Sequence, residues 1–148
     1  MLSLSVVNNG NDRFPGLEDR EKLSYTEATL HESMRLNPAV TIGVPHSTTC
    51  DTSVDYWTDV DRFDPHRFLD SNGKLSPKPE SWLPFSAGRR VCLGESVAKP
   101  ELFLAFATLL QKYRFKLPSG VITKFEEDKD TYGGLPAKYE ILIEERYK

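Results

Sequence analysis

The sequence predicts a mainly α chain with small β pieces. Three observations carry that expectation across the 148 residues. A capping signal opens a helical stretch near Ser24, and a longer apolar stretch with a period near 3.6 residues follows Gly94. A strand-like run after the Gly133-Gly134 turn closes the chain.

Residues 1–22 are polar and turn-rich, with Asn-Asn-Gly-Asn and then Arg-Phe-Pro-Gly, and read as a loose leader. Ser24-Tyr-Thr-Glu27 matches a capping box, the acidic residue standing three positions after the serine. A helix over 24–36 follows, with Leu23, Leu30 and Met34 toward one side. Pro38 ends it, because the residue before a proline avoids helical backbone. Residues 39–82 are dense in proline, aspartate, serine and threonine, with strand-like pieces such as Val40-Thr-Ile-Gly-Val44. They read as an irregular, aromatic-studded region and not as a second domain. A loop over 83–94 leads into the strongest helical pattern: Val97, Ala98, Leu102, Phe106, Leu109, Leu110 and Tyr113. Pro118-Ser-Gly120 is expected to stop this helix. Pro100 would cost about 3 kcal/mol in a helix interior, and in the second turn it predicts a kink instead of a break. Lys138-Tyr-Glu-Ile-Leu-Ile-Glu-Glu reads as a strand after the Gly133-Gly134 turn.

Composition excludes several classes of function. With 22 acidic and 19 basic residues and a net charge of −3, nothing advertises a nucleic-acid or anionic-membrane partner. Mean hydropathy is −0.46, and no stretch approaches the roughly 18 apolar residues of a membrane span. The first seven residues carry no basic residue and are too short for a signal peptide. Two cysteines, Cys50 and Cys92, make no disulfide framework and fit a reducing compartment.

The chemistry concentrates in Phe85-Ser-Ala-Gly88-Arg-Arg90-Val-Cys92-Leu-Gly94. Cys92 stands among glycines, beside two arginines, where a helix begins. The helix dipole, free backbone N–H groups and guanidinium charge each favour thiolate over thiol. Such a sulfur serves as a nucleophile or as a metal ligand. A phosphatase-type cysteine needs an arginine six positions on, where this chain has Ala98, and no histidine is local. Zinc would need further cysteines or histidines at ligand spacing, and none stands beside Cys92. The bland alternative is a small buried hydrophobe.

The pattern Phe-x-x-Gly-x-Arg-x-Cys-x-Gly resembles the haem-binding loop of the cytochrome P450 family, and Phe85, Gly88, Arg90, Cys92 and Gly94 match every fixed position. The resemblance implies that Cys92 is the axial thiolate on the iron of haem b (iron protoporphyrin IX), pushing electron density toward O–O cleavage. It implies that Gly88 and Gly94 turn the loop and bring backbone N–H groups to the sulfur. Arg90 would pair with a haem propionate, and Phe85 would pack beside the ligand. Glu32-Ser-Met-Arg35 resembles the family's Glu-x-x-Arg helix, and Phe63-Asp-Pro-His-Arg67-Phe resembles the segment whose arginine joins that pair. The implied triad of Glu32, Arg35 and Arg67 is structural. His46, in Val44-Pro-His46, stands where family members place a propionate-contacting residue, and Tyr132-Gly-Gly-Leu135 resembles the hairpin that closes the substrate pocket.

The resemblance runs from about Phe14 to Arg146, leaving 1–13 as leader and 14–148 as the carboxy-terminal portion of a cytochrome P450 domain. The expected order is the Glu-x-x-Arg helix, an irregular meander, the cysteine loop, the long helix and a C-terminal β hairpin. Only 31 residues precede Glu32, and none matches the oxygen-activating helix or an amino-terminal membrane anchor. Arg67 follows Arg35 by 32 positions, shorter than the family spacing, as though a segment near 54–55 had been excised. Leu83-Pro-Phe and the Gly94-Glu-x-x-Ala-x-x-Glu-Leu-Phe-Leu run look like the microsomal branch that includes steroid 17-alpha-hydroxylases and xenobiotic-oxidising enzymes. The family resemblance implies a monooxygenase inserting one atom of O2 into an apolar, steroid-leaning substrate, with NADPH–cytochrome P450 reductase as partner. The parent's place would be the endoplasmic reticulum membrane. The chain as it stands is expected to be an inactive truncated or splice product, without anchor or signal, acting, if at all, as a haem-binding or interaction fragment.

Overall fold

A computed structural model describes residues 13–37, 57–119 and 140–146. The first of these stretches is polar, yet it builds structure. A one-turn 3-10 helix, Leu17–Asp19, is locked by Asp19, whose carboxylate accepts the Gly16 N–H at 3.0 Å and the Arg13 guanidinium at 2.8 Å. Asp19 is fully buried. Residues 13–22 are therefore not loose leader: their acidic side chains satisfy local donors.

Helix α1, Ser24–Leu36, has the expected bounds but a different start. Leu23 is its N-cap, and the Ser24 hydroxyl donates to the Glu21 carbonyl at 3.0 Å. Glu27 turns instead to the Arg20 guanidinium and the His31 ring. The capping box does not form, because a guanidinium within reach offers a charge-assisted hydrogen bond that a backbone N–H does not match. Leu23 is buried, and Leu30 and Met34 pack against two separate clusters. The buried positions inside α1 are Thr26, Glu27, Ala28, His31 and Glu32, so this helix buries a mostly polar stripe.

The meander over 57–82 packs on that stripe. A 3-10 turn, Pro65–Phe68, is capped by Asp64, whose carboxylate accepts the His66 N–H at 3.1 Å. Phe68, Trp82 and Ala28 form a buried cluster, flanked by Met34, Trp57, Leu69, Leu75 and Phe85.

Helix α2, Glu95–Lys112, runs through Pro100 without a break. Phe103, Ala107 and Leu110 are buried, and Phe103 and Ala107 pack with Leu23. The face expected to be core is largely outward, with Val97, Leu102 and Leu109 exposed. Apolar side chains surround this helix, so periodicity alone cannot choose its inner face. Pro118 does not end α2. Lys112 does, because Tyr113–Lys116 forms strand β1, paired antiparallel with β2, Leu142–Glu145. Tyr113 opposes Glu145 and Lys116 opposes Leu142, so a backbone ladder takes over where helical spacing suggested one more turn. Residues 40–44, His46, Cys50, the 54–55 junction and the 132–135 segment lie outside the described residues.

Candidate haem-binding site

The cysteine loop is a series of backbone turns. Ser86 N–H donates to the Leu83 carbonyl at 3.0 Å, Val91 N–H to Gly88 at 3.2 Å, and Cys92 N–H to Phe85 at 2.9 Å. Gly88 opens a 3-10 turn, Gly88–Arg90, with φ of 68°, left-handed backbone that suits glycine. Gly94 differs. It is right-handed helical, at φ −82° and ψ −3°, and caps α2, while a Cβ there would stand 3.8 Å from the Cys92 sulfur. Its absent side chain leaves room beside the thiol and does not serve the turn.

Cys92 is free and exposed at the head of α2, which removes its reading as a small buried hydrophobe. Leu93 is 98% exposed and Val91 42%, so apolar groups flank the sulfur. Arg89 and Arg90 are exposed, and among the described residues neither forms an ion pair. One sulfur donor, an apolar rim and unpaired guanidinium groups suit a flat apolar macrocycle that carries an iron and acidic side arms. Among the described residues no three His, Cys, Asp or Glu side chains converge, so Cys92 offers a lone protein ligand.

Behind the loop, Glu32 is fully buried at the centre of an ion network. Arg35 grips it with two hydrogen bonds, at 2.7 and 3.0 Å, and Arg67 donates to it at 3.3 Å. The Asp64 N–H adds a fourth donor at 2.8 Å. Both arginines also bind carbonyls of the meander: Arg35 that of Val60, and Arg67 those of Thr58 and Asp59. Arg35 further stands over the Trp57 ring, 5.3 Å from its centroid. The structure thus brings Glu32, Arg35 and Arg67 together, and joins Phe85 to Cys92. Arg90 stands apart in solvent.

Sequence reasoning missed a second buried set on α1. The His31 ring lies edge-on between Phe68, at 5.3 Å, and Trp82, at 5.0 Å, with its Nε2 3.5 Å from Glu27. Burial pushes His31 below its ordinary pKa; Glu27 opposes that, and the Lys78 and Lys99 ammoniums add to it. Burial would raise the Glu27 carboxyl, but hydrogen bonds from His31 and Arg20 outweigh it and bring Glu27 down to about 2. The available signal was a histidine and two glutamates placed mid-helix at i and i+4 or i+5, facing an aromatic-rich segment.

The cytochrome P450 family model matches residues 4–55 and 53–143. The chain belongs to the cytochrome P450 family. Cytochrome P450 2D15 of Canis lupus familiaris is 35% identical over 159 residues, covering 93% of this chain and 32% of the relative. Cytochrome P450 2B9 of Mus musculus is 40% identical over 131 residues, covering 74% and 26%. Cytochrome P450 2L1 of Panulirus argus is 36% identical over 155 residues, covering 89% and 31%. This P450 chain therefore spans about a third or less of the length of those relatives. Against 2D15, 93% of 148 residues is about 138, so some 20 of the 159 aligned positions have no counterpart in this chain. Cytochromes P450 depend on haem b, and these relatives fit the microsomal, xenobiotic-oxidising branch. Steroid 17-alpha-hydroxylation gains no specific support from them.

Proposed function

We propose that this chain forms the thiolate-bearing part of a haem monooxygenase. The observation that carries the reading is the exposed Cys92 thiol at the head of α2, flanked by Val91 and Leu93 on a loop turned at Gly88. Cys92, at the head of α2, would hold the haem iron through its sulfur. Arg90 and His46 would hold the propionates, Phe85 would back the loop, and Gly88 and Gly94 would give the turn and the space. Glu32, Arg35 and Arg67 fix the meander under that loop. Haem b, when bound, supplies O2 activation and transfer of one oxygen atom to an apolar small molecule, with electrons from NADPH–cytochrome P450 reductase. The whole enzyme's place at the endoplasmic reticulum membrane belongs to this proposal; among the described residues no helix is long and apolar enough to cross a membrane. The test is the reduced, carbon-monoxide-bound absorption spectrum of haem-loaded protein and its Cys92→Ala variant. The expected result is a thiolate-type Soret band that the substitution abolishes, and its survival overturns the assignment.

A second reading, that the chain binds haem without turning over substrate, is favoured by one observation. The family match divides at 53–55, and some 20 positions of a relative lack counterparts here. We assign residues 14–148 to the carboxy-terminal portion of the P450 domain, with an internal deletion near 54–55. The motifs matched in this chain belong to the thiolate side of a haem, and turnover needs a dry wall on the oxygen-binding side as well. Purified chain given haem, reductase, NADPH and a panel of steroids and xenobiotics should form no product above a haem-only control. Product that is lost in Cys92→Ala would make this chain a working enzyme.

A further inference from the structure

We propose that Trp82 is a positioning residue, the strut that ties the Cys92 loop to the Glu32 scaffold. The proposal rests on reading Cys92 as the haem ligand, since that reading gives the loop's position its purpose.

The loop has little else to hold it. Leu83, Val91, Cys92 and Leu93 are all exposed, and from residues 82–94 only Trp82 and Phe85 join a core cluster. Trp82 is 7% exposed. Its indole N–H donates to the carbonyl of His31 at 3.0 Å, a buried bond that spans 51 positions of sequence and ends one residue before Glu32. On the other side, the Trp82 ring meets Phe85 edge-on at 6.5 Å, and the Phe85 carbonyl accepts the Cys92 N–H at 2.9 Å. Glu32, His31, Trp82, Phe85 and Cys92 thus form one continuous series of bonded or touching groups.

Each property of the indole has a use here. The ring is long enough to touch His31, Phe68 and Phe85 at once, and its donor reaches a helix carbonyl that phenylalanine could not bond. The Lys78 and Lys99 ammoniums stand over the ring at 4.6 and 5.2 Å from its centroid, and Lys99 reaches the Phe85 ring as well, at 5.4 Å. Those cation–π contacts restrain the two rings together. A shift of Trp82 would move Phe85, and with it the carbonyl that sets the Cys92 backbone.

The experiment is native-state hydrogen exchange on the 148-residue chain, read at the turn-closing amides of Ser86, Val91 and Cys92. Trp82→Phe keeps a ring and removes the donor. Phe85→Leu breaks the series at its other end and leaves the indole hydrogen bond in place. Each variant should speed exchange at those three amides about fivefold, the scale of one ordinary hydrogen bond or ring contact, while amides in the middle of α1 and α2 keep their wild-type rates. Unchanged loop exchange in both variants overturns the proposal, and so does an equal acceleration of loop and helix amides, which would mark global destabilisation only. Failure of the ligand reading shows itself separately, as a thiolate-type Soret band that survives Cys92→Ala.

Discussion

Glu32 sits in the interior with four hydrogen bonds and two guanidinium partners, and the arrangement works only while complete. Arg35 and Arg67 are themselves only 9% and 12% exposed, so removing either leaves a buried carboxylate short of charge. Arg35→Ala should cost about 3–5 kcal/mol of folding stability, read from a urea midpoint. Arg35→Lys should recover only part of that, because an ammonium cannot reproduce the two-pronged grip. The loop glycines separate two roles. Gly88→Ala meets no atom within 4 Å and pays only for left-handed backbone, about 1–2 kcal/mol, whereas Gly94→Ala at helical φ should leave the urea midpoint nearly unchanged. The Glu-x-x-Arg pair and the cysteine pattern were legible because each is local, a spacing that survives in one dimension. Trp82 was not, since its partners lie 51 residues back and nothing in Pro-Glu-Ser-Trp reports them.

At the scale of elements, α1 was readable in extent and unreadable in face. Hydrophobic patterning pointed to Leu23, Leu30 and Met34, while the helix buries Glu27, His31 and Glu32, whose cost is met by Arg35 and the Glu27–His31 pair within α1 together with Arg20 and Arg67 from other segments. Likewise α2 carries apolar side chains on every side, and its end depended on a strand pairing 32 positions downstream, from Tyr113 to Glu145. The polar stripe of α1 gives the protein an acid limit in two stages. His31 titrates below 6.5 when folded, so between those values the unfolded chain holds a proton that the folded chain refuses. Its contribution is complete above pH 6.5 and declines below it. Glu27, at about 2 against 4.5, contributes fully above pH 4.5 and loses that stability as pH falls toward 2. Melting temperature should decline from about pH 6.5 and more steeply below 4.5. His31→Gln should flatten the first leg and, because the ring also hydrogen-bonds Glu27, make the second leg shallower, and an unchanged profile would show that another group sets the limit.

Over the whole molecule, apolar surface is unevenly spread. Leu93, Val97, Leu102 and Leu109 are exposed along α2 and the turn before it. Exposed apolar side chains bind apolar probes. Val97→Gln combined with Leu109→Gln should lower the fluorescence of a bound apolar dye several-fold with a change in urea midpoint within about 0.5 kcal/mol, as for surface positions generally. The hydrogen bond from Arg67 to Glu32 joins residues 35 positions apart, and most of the intervening chain belongs to the connection between α1 and the meander. That separation has an entropic meaning. Closing a loop costs an amount that grows only with the logarithm of its length, so lengthening this one by some 20 residues adds only about 0.4 kcal/mol. A chain given that many extra residues at position 54 should therefore fold with its Glu32 network intact and its urea midpoint almost unmoved. The α1–meander pairing is thus tolerant of the length that separates its halves. A lineage could lengthen or shorten that connection, and remodel whatever it builds there, without first having to repair the fold.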